Sequence, residues 1–142
     1  MIGVIDTSAL LRLFIPDGDV PTGLHAFVGN AERGLHQAIA PELLAAETAN
    51  VVLKKQRAGE LSDSEAGEML RDIMALPIRL MPHRPLVDVA YQQARQLRLT
   101  VYDALFLALA VERGAVLFTA DGALAKAART MRIPANIEFS VD

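Results

Sequence analysis

The chain has 142 residues, no cysteine, a formal net charge of −3 and 52% hydrophobic residues, which suits one ordinary domain with a sizeable core. The absence of cysteine excludes disulfides and thiolate metal sites and fits a reducing compartment. Scattered charges and a mildly acidic balance exclude a disordered chain and a globally basic nucleic-acid binder, leaving only local basic clusters at Lys54, Lys55 and Arg57 and at Lys126, Arg129 and Arg132.

Residues 1–5 are apolar and β-branched and predict a buried strand. Residues 7–14 predict a short helix, stopped by Pro16 and the turn residues Asp17, Gly18 and Asp19. A helix over 22–33 is closed by Gly34, and 37–40 is a second strand. Pro41 and Gly59 bracket a long helix in the order that suits a helix start and end. Ser62 and Glu65 stand at capping-box spacing and open the next helix, which stops before Pro77. Strand three covers 78–81, between Pro77 and Pro82, and 86–98 is helical. The stretch TVYDALFLALAVERG is apolar nearly all round and predicts a deeply buried helix. A strand over 115–119, a helix over 121–131 and a fifth strand over 136–140 complete the chain.

No repeat or linker interrupts this alternation, so the expected architecture is a single-domain α/β sandwich with a mainly parallel sheet and helices on both faces. The start has no basic leader, and the longest apolar run, residues 104–111, is far below the roughly 20 residues of a spanning helix. A cytoplasmic protein without a membrane segment is expected.

Sites in open parallel sheets form beyond the carboxyl ends of the strands. Asp6 follows strand one and Asp121 follows the AVLFTA strand. These two are neighbours only if strands one and four are adjacent, which residue patterns do not decide. Asp103 lies in the first turn of the apolar helix, and Glu47 shares a face of the long helix with Leu43, Leu44, Asn50, Val51 and Lys54. Each aspartate also stands where an N-cap or the helix dipole favours a carboxylate. Capping and metal binding are compatible roles. Four convergent carboxylates would repel one another, about 4 kcal/mol for a pair at 4 Å and an effective dielectric of ~20. Protonation or a hard divalent cation relieves this. All-oxygen donors favour Mg²⁺ or Mn²⁺. Zinc is disfavoured, since His25, His36 and His83 show no ligand spacing.

Together VIDTSALL, PELLAAETANVVLK, YDALFLALA and LFTADGALAKAA resemble the PIN domain family, most closely the VapC-type ribonuclease toxins of prokaryotic toxin–antitoxin pairs. The resemblance runs from Ile2 to about Ile137. It implies a three-layer α/β/α sandwich over residues 1–142 with a five-stranded sheet in the order 3-2-1-4-5, which makes strands one and four neighbours. It also implies an acidic quartet of Asp6, Glu47, Asp103 and Asp121 that binds Mg²⁺ or Mn²⁺, with Thr119, Ser8 and Thr7 as supporting hydroxyls. Glu42 lies about 140° from Glu47 around the helix and is expected outside the site.

The activity implied is hydrolysis of RNA phosphodiesters, with Asp6 and Asp103 first among the metal ligands. Arg12, Lys54 and Lys126 are candidates to hold flanking phosphates. With seven Phe and Tyr and no Trp, no extended base-stacking platform is expected. The implied partners are RNA, an antitoxin protein and a second copy of the chain. A receiver domain fits poorly, because Thr7 and Ser8 follow Asp6 and no strand ends in lysine. A haloacid-dehalogenase-like phosphatase fits poorly because Ser8 stands where a second aspartate belongs. The remaining alternative is a PIN-like module that binds RNA or protein without cutting.

Overall fold

The computed structural model describes residues 1–139. In chain order the elements are β1 (Ile2–Ile5), α1 (Thr7–Arg12), α2 (Leu24–Glu32), β2 (Gln37–Pro41), α3 (Leu43–Arg57), α4 (Asp63–Met74), β3 (Ile78–Met81), α5 (Val87–Leu97), α6 (Val101–Arg113), β4 (Val116–Phe118) and α7 (Gly122–Thr130). A 3₁₀ turn over Arg84–Leu86 leads into α5. Apart from the last strand, the expected elements form with ends shifted by a residue or two; Pro41, expected to open the long helix, instead ends β2, where it pairs with Met81. Ser62 and Glu65 form the capping box of α4: Ser62 Oγ accepts from the Glu65 N–H at 3.1 Å, and Glu65 Oε1 accepts from the Ser62 N–H at 2.9 Å.

All strand pairings are parallel, in the order β3-β2-β1-β4. Val4 of β1 pairs with Ile39 on one side and Leu117 on the other, so the central strand is covered along both edges. Helices α2, α3, α6 and α7 pack against the strands. Every residue of α6 from Ala104 through Ala110 is buried, and the helix packs on β1, β2, β4, α5 and α7. This explains its lack of a polar face. The α2 helix approaches β1 closely because Gly3 has no side chain: a Cβ there would lie 2.5 Å from the Phe27 ring.

The fifth strand does not form. Leu117 makes one parallel bridge with Ala135; its N–H donates to the Pro134 carbonyl at 2.9 Å, and its carbonyl accepts from the Asn136 N–H at 3.0 Å. Asn136 then turns into the left-handed region at φ 53°, which an extended strand cannot contain and which Asn tolerates better than most residues. The sheet therefore has four strands among the described residues, not the expected five. Residues 136–139 leave the sheet and pack on α2, with Phe139 edge-on to Phe27 and His36. Ser140, the last residue of the expected strand, lies outside the described residues.

Candidate active site

Parallel pairing of β1 with β4 sets Ile5 beside Phe118, so Asp6 and Thr119 leave the sheet side by side. Asp6 is the N-cap of α1. Its Oδ1 accepts from the Ala9 N–H at 2.8 Å and from Ser8 Oγ at 2.7 Å, and its Oδ2 accepts from Thr119 Oγ1 at 2.5 Å. Asp121 is the N-cap of α7, its Oδ1 accepting from the N–H groups of Ala123 and Leu124. Asp103 is not a cap. Thr100 caps α6 and accepts from the Asp103 N–H, which leaves the Asp103 carboxylate in the first turn, where the helix dipole favours it. Glu47 projects from α3 and accepts from Thr7 Oγ1 at 2.8 Å, tying α3 to α1.

All four acids, with Thr7, Ser8, Leu11, Val51 and Phe106, line one cavity of about 310 Å³. Asp6 is 3% exposed, and its burial raises its pKa to about 6, against the opposing pull of hydrogen bonds from Thr119, Ala9 and Ser8. Burial likewise raises Glu47, assisted by the charge of Asp103. Asp103 is raised by burial and then by the charge of Asp121. Like charges therefore meet across the cavity, and a cation there would relieve both burial and repulsion.

An oxygen-only donor set fits a hard divalent ion. The carboxylates are not drawn into a closed cage, however. Among the described residues no group of three Asp, Glu or His side chains stands in metal-holding geometry. Asp121 is tied to the start of its own helix, while Asp6 and Glu47 are each engaged by a hydroxyl from a neighbouring element. The residues fit a metal in chemistry and in placement around one cavity.

Two hydroxyls tie Asp6 to the segment that follows β4. Thr119 Oγ1 donates to Asp6 and accepts from the Asp121 N–H at 3.0 Å. Ser8 Oγ donates to Asp6 and accepts from the Ala120 N–H at 2.9 Å. The sequence reading missed Asn136, whose side chain pairs with both backbone groups of Thr119. Its one signal was an amide residue, tolerant of left-handed backbone, inside an expected strand.

The other candidates stand apart. None of Arg12, Lys54 and Lys126 lines the acid cavity. Arg12 lines a neighbouring pocket that shares Ser8, Leu11 and Val51 with it, while Lys54 and Lys126 are exposed. Glu42 is exposed and faces His83 at 3.8 Å, outside the cavity. His36 receives the N-terminal ammonium at 2.9 Å and stacks on Phe27.

The PIN domain family profile matches residues 3–130. Ribonuclease VapC3 of Pyrobaculum aerophilum is 31% identical over 128 residues, covering 87% of this chain and 92% of that protein. A crystal structure of a P. aerophilum protein superposes with a TM-score of 0.69 at 25% identity, covering 89% of this chain and 84% of the other. VapBC2 from Rickettsia felis, bound to a promoter DNA fragment, shares the fold with a TM-score of 0.62 at 16% identity, over 95% of this chain and 97% of that one. Matched along nearly its whole length, and with its acids gathered beyond the β1–β4 edge, the chain belongs to the PIN domain family.

Proposed function

We propose that this chain is a divalent-metal-dependent endoribonuclease, the toxin of a toxin–antitoxin pair, acting as one PIN-like domain over residues 1–142. The observation that carries the reading is the gathering of Asp6, Glu47, Asp103 and Asp121 around one cavity at the carboxyl edge of a parallel sheet. The ribonuclease named among its relatives and the VapBC complex among its fold neighbours support it. RNA is the substrate, an antitoxin and a second copy are the partners, and the setting is the cytoplasm. No helix among the described residues is long and apolar enough to cross a membrane.

Asp6, Asp103, Asp121 and Glu47 would hold Mg²⁺ or Mn²⁺. The bound ion supplies a polarised phosphate oxygen and an acidified water. The protein's own groups do the rest. Thr119 and Ser8 hold the Asp6 carboxylate by donating to its two oxygens, so it enters the cavity in one orientation. Thr7 does the same for Glu47. Glu47, oriented by Thr7 and lining the same cavity, is placed to accept the proton of an attacking water. Phe106, Leu11 and Val51 form an apolar wall, which lowers the local dielectric around the charged groups.

The test is cleavage of structured RNA with Mg²⁺ or Mn²⁺ by wild type, Asp6→Asn and Asp103→Asn. Each substitution is expected to reduce cleavage by ~100-fold or more, since even groups that only support a ligand are worth up to about 100-fold. Equal cleavage by all three proteins overturns the assignment. Binding of RNA or protein without cleavage by any of them establishes the non-cleaving module instead.

A further inference from the structure

The β4 edge of the sheet ends in an unusual way. The pairing of Leu117 with Pro134 and Asn136 is that of a parallel ladder. Continued by one step, that ladder would give the Thr119 N–H to the carbonyl of residue 136 and the Thr119 carbonyl to the N–H of residue 138. Neither bond is made by backbone. Asn136 turns left-handed, and its side chain folds back into the vacant register. The Asn136 Oδ1 accepts from the Thr119 N–H at 2.9 Å, and the Asn136 Nδ2 donates to the Thr119 carbonyl at 2.9 Å. A carboxamide carries the same donor and acceptor as a peptide group, so one side chain replaces one step of a strand.

The residue held in this way is the one that joins the two strand-end acids. Thr119 is 1% exposed, donates its hydroxyl to Asp6 and accepts the Asp121 N–H. Its backbone position therefore sets where Asp6 Oδ2 and the first turn of α7 stand relative to each other. An unpaired N–H and carbonyl at this buried point would be costly, and a shift of the peptide would move both acids.

We propose that Asn136 is a positioning residue of the acidic site, acting through the Thr119 backbone on Asp6 and Asp121. The inference rests on the reading of the four acids as a metal site. Both hydrogen bonds and the positive φ are required of the residue, and only Asn satisfies all three. Aspartate accepts the φ and keeps the acceptor but sets a carboxylate against the Thr119 carbonyl. Glycine accepts the φ and makes neither bond.

The test uses the full chain and Mn²⁺ alone, with affinity measured by calorimetry and thermal melting measured without metal. The variants are Asn136→Asp, Asn136→Gly and, as a control on the same tail, Phe139→Ala, which removes the contact with Phe27 and His36 without touching Thr119. Both Asn136 variants are expected to bind Mn²⁺ about tenfold more weakly or worse, the scale of supporting groups around metal ligands. Phe139→Ala is expected to lower the melting temperature and leave the affinity within twofold of wild type. Unchanged Mn²⁺ affinity in both Asn136 variants overturns the proposal, whatever their melting temperatures, and so does an equal loss in Phe139→Ala. Absence of Mn²⁺ binding by wild type itself overturns the metal reading and this inference with it.

Discussion

Asp6 does three things that a single carboxylate seldom combines. It caps α1, receives two hydroxyl bonds and sits buried with its pKa raised to about 6. A carboxyl whose pKa is higher folded than unfolded binds protons more tightly in the native state. It therefore weakens the metal-free fold fully above pH 6, progressively less between about 6 and its ordinary 3.8, and not at all below. The gap, at ~1.36 kcal/mol per pH unit, comes to about 3 kcal/mol. The raised pKa values of Glu47 and Asp103 act in the same direction. Metal-free protein is thus expected to gain stability against urea as pH falls from 7.5 to 5, and Asp6→Asn to lose most of that gain. Flat stability across this range in wild type would mean that Asp6 is not buried as the structure places it. Legibility at this scale was uneven. Asp6, Asp121, Asp103 and Glu47 stood out by strand-end, first-turn and helix-face position, and the family resemblance joined them into one set with the Thr119, Ser8 and Thr7 hydroxyls. Asn136 could not, because its role is a side chain acting as backbone, 17 residues from its partner.

At the scale of elements, close packing of α2 on β1 depends on Gly3. The Phe27 ring lies where a side chain at residue 3 would stand, and it is held there by Phe118 at 4.9 Å and by His36 stacked at 5.5 Å. Gly3→Ala is expected to cost about 2 kcal/mol in urea unfolding, the usual scale for overpacking a tight interior. Phe27→Leu in the same chain should restore part of the loss; no restoration would place the strain elsewhere than at this contact. Helices and strands were largely legible because apolar period, caps and breakers are local signals. The fifth strand was misread for a physical reason. The apolar pattern of 136–140 is that of a strand, but the left-handed backbone at Asn136 diverts the chain toward Gly23, where only a residue without Cβ leaves space for the Ile137 carbonyl.

For the whole molecule, stability and function pull in opposite directions at the same cavity. Three acids held above their ordinary pKa destabilise the empty fold, and the same acids belong to the proposed ligand set. Mn²⁺ is therefore expected to stabilise the protein strongly at pH 7.5, by about 2.7 kcal/mol at 100 times its Kd. The stabilisation should shrink at pH 5.5, as protons compete for Asp6. Thermal melting with and without Mn²⁺ at the two pH values reads this directly, and Asp103→Asn should lose most of the shift. A shift that is equal at both pH values, or kept in Asp103→Asn, would separate metal binding from these carboxylates.

What the sequence determined by itself was local: the order and kind of most elements, that the middle of α6 would be buried, and that any metal would meet mainly oxygen. Those properties depend on a residue and its near neighbours along the chain. The pairing of β1 with β4 joins Gly3 to Val116 and Ile5 to Phe118, and no periodicity records it; family resemblance anticipated it, and only the tertiary structure decided it. The same holds for the end of the sheet. Whether a fifth strand or an Asn136 carboxamide completes the pairing of Thr119 depends on where the rest of the chain can pack, which is settled only when the whole core is assembled.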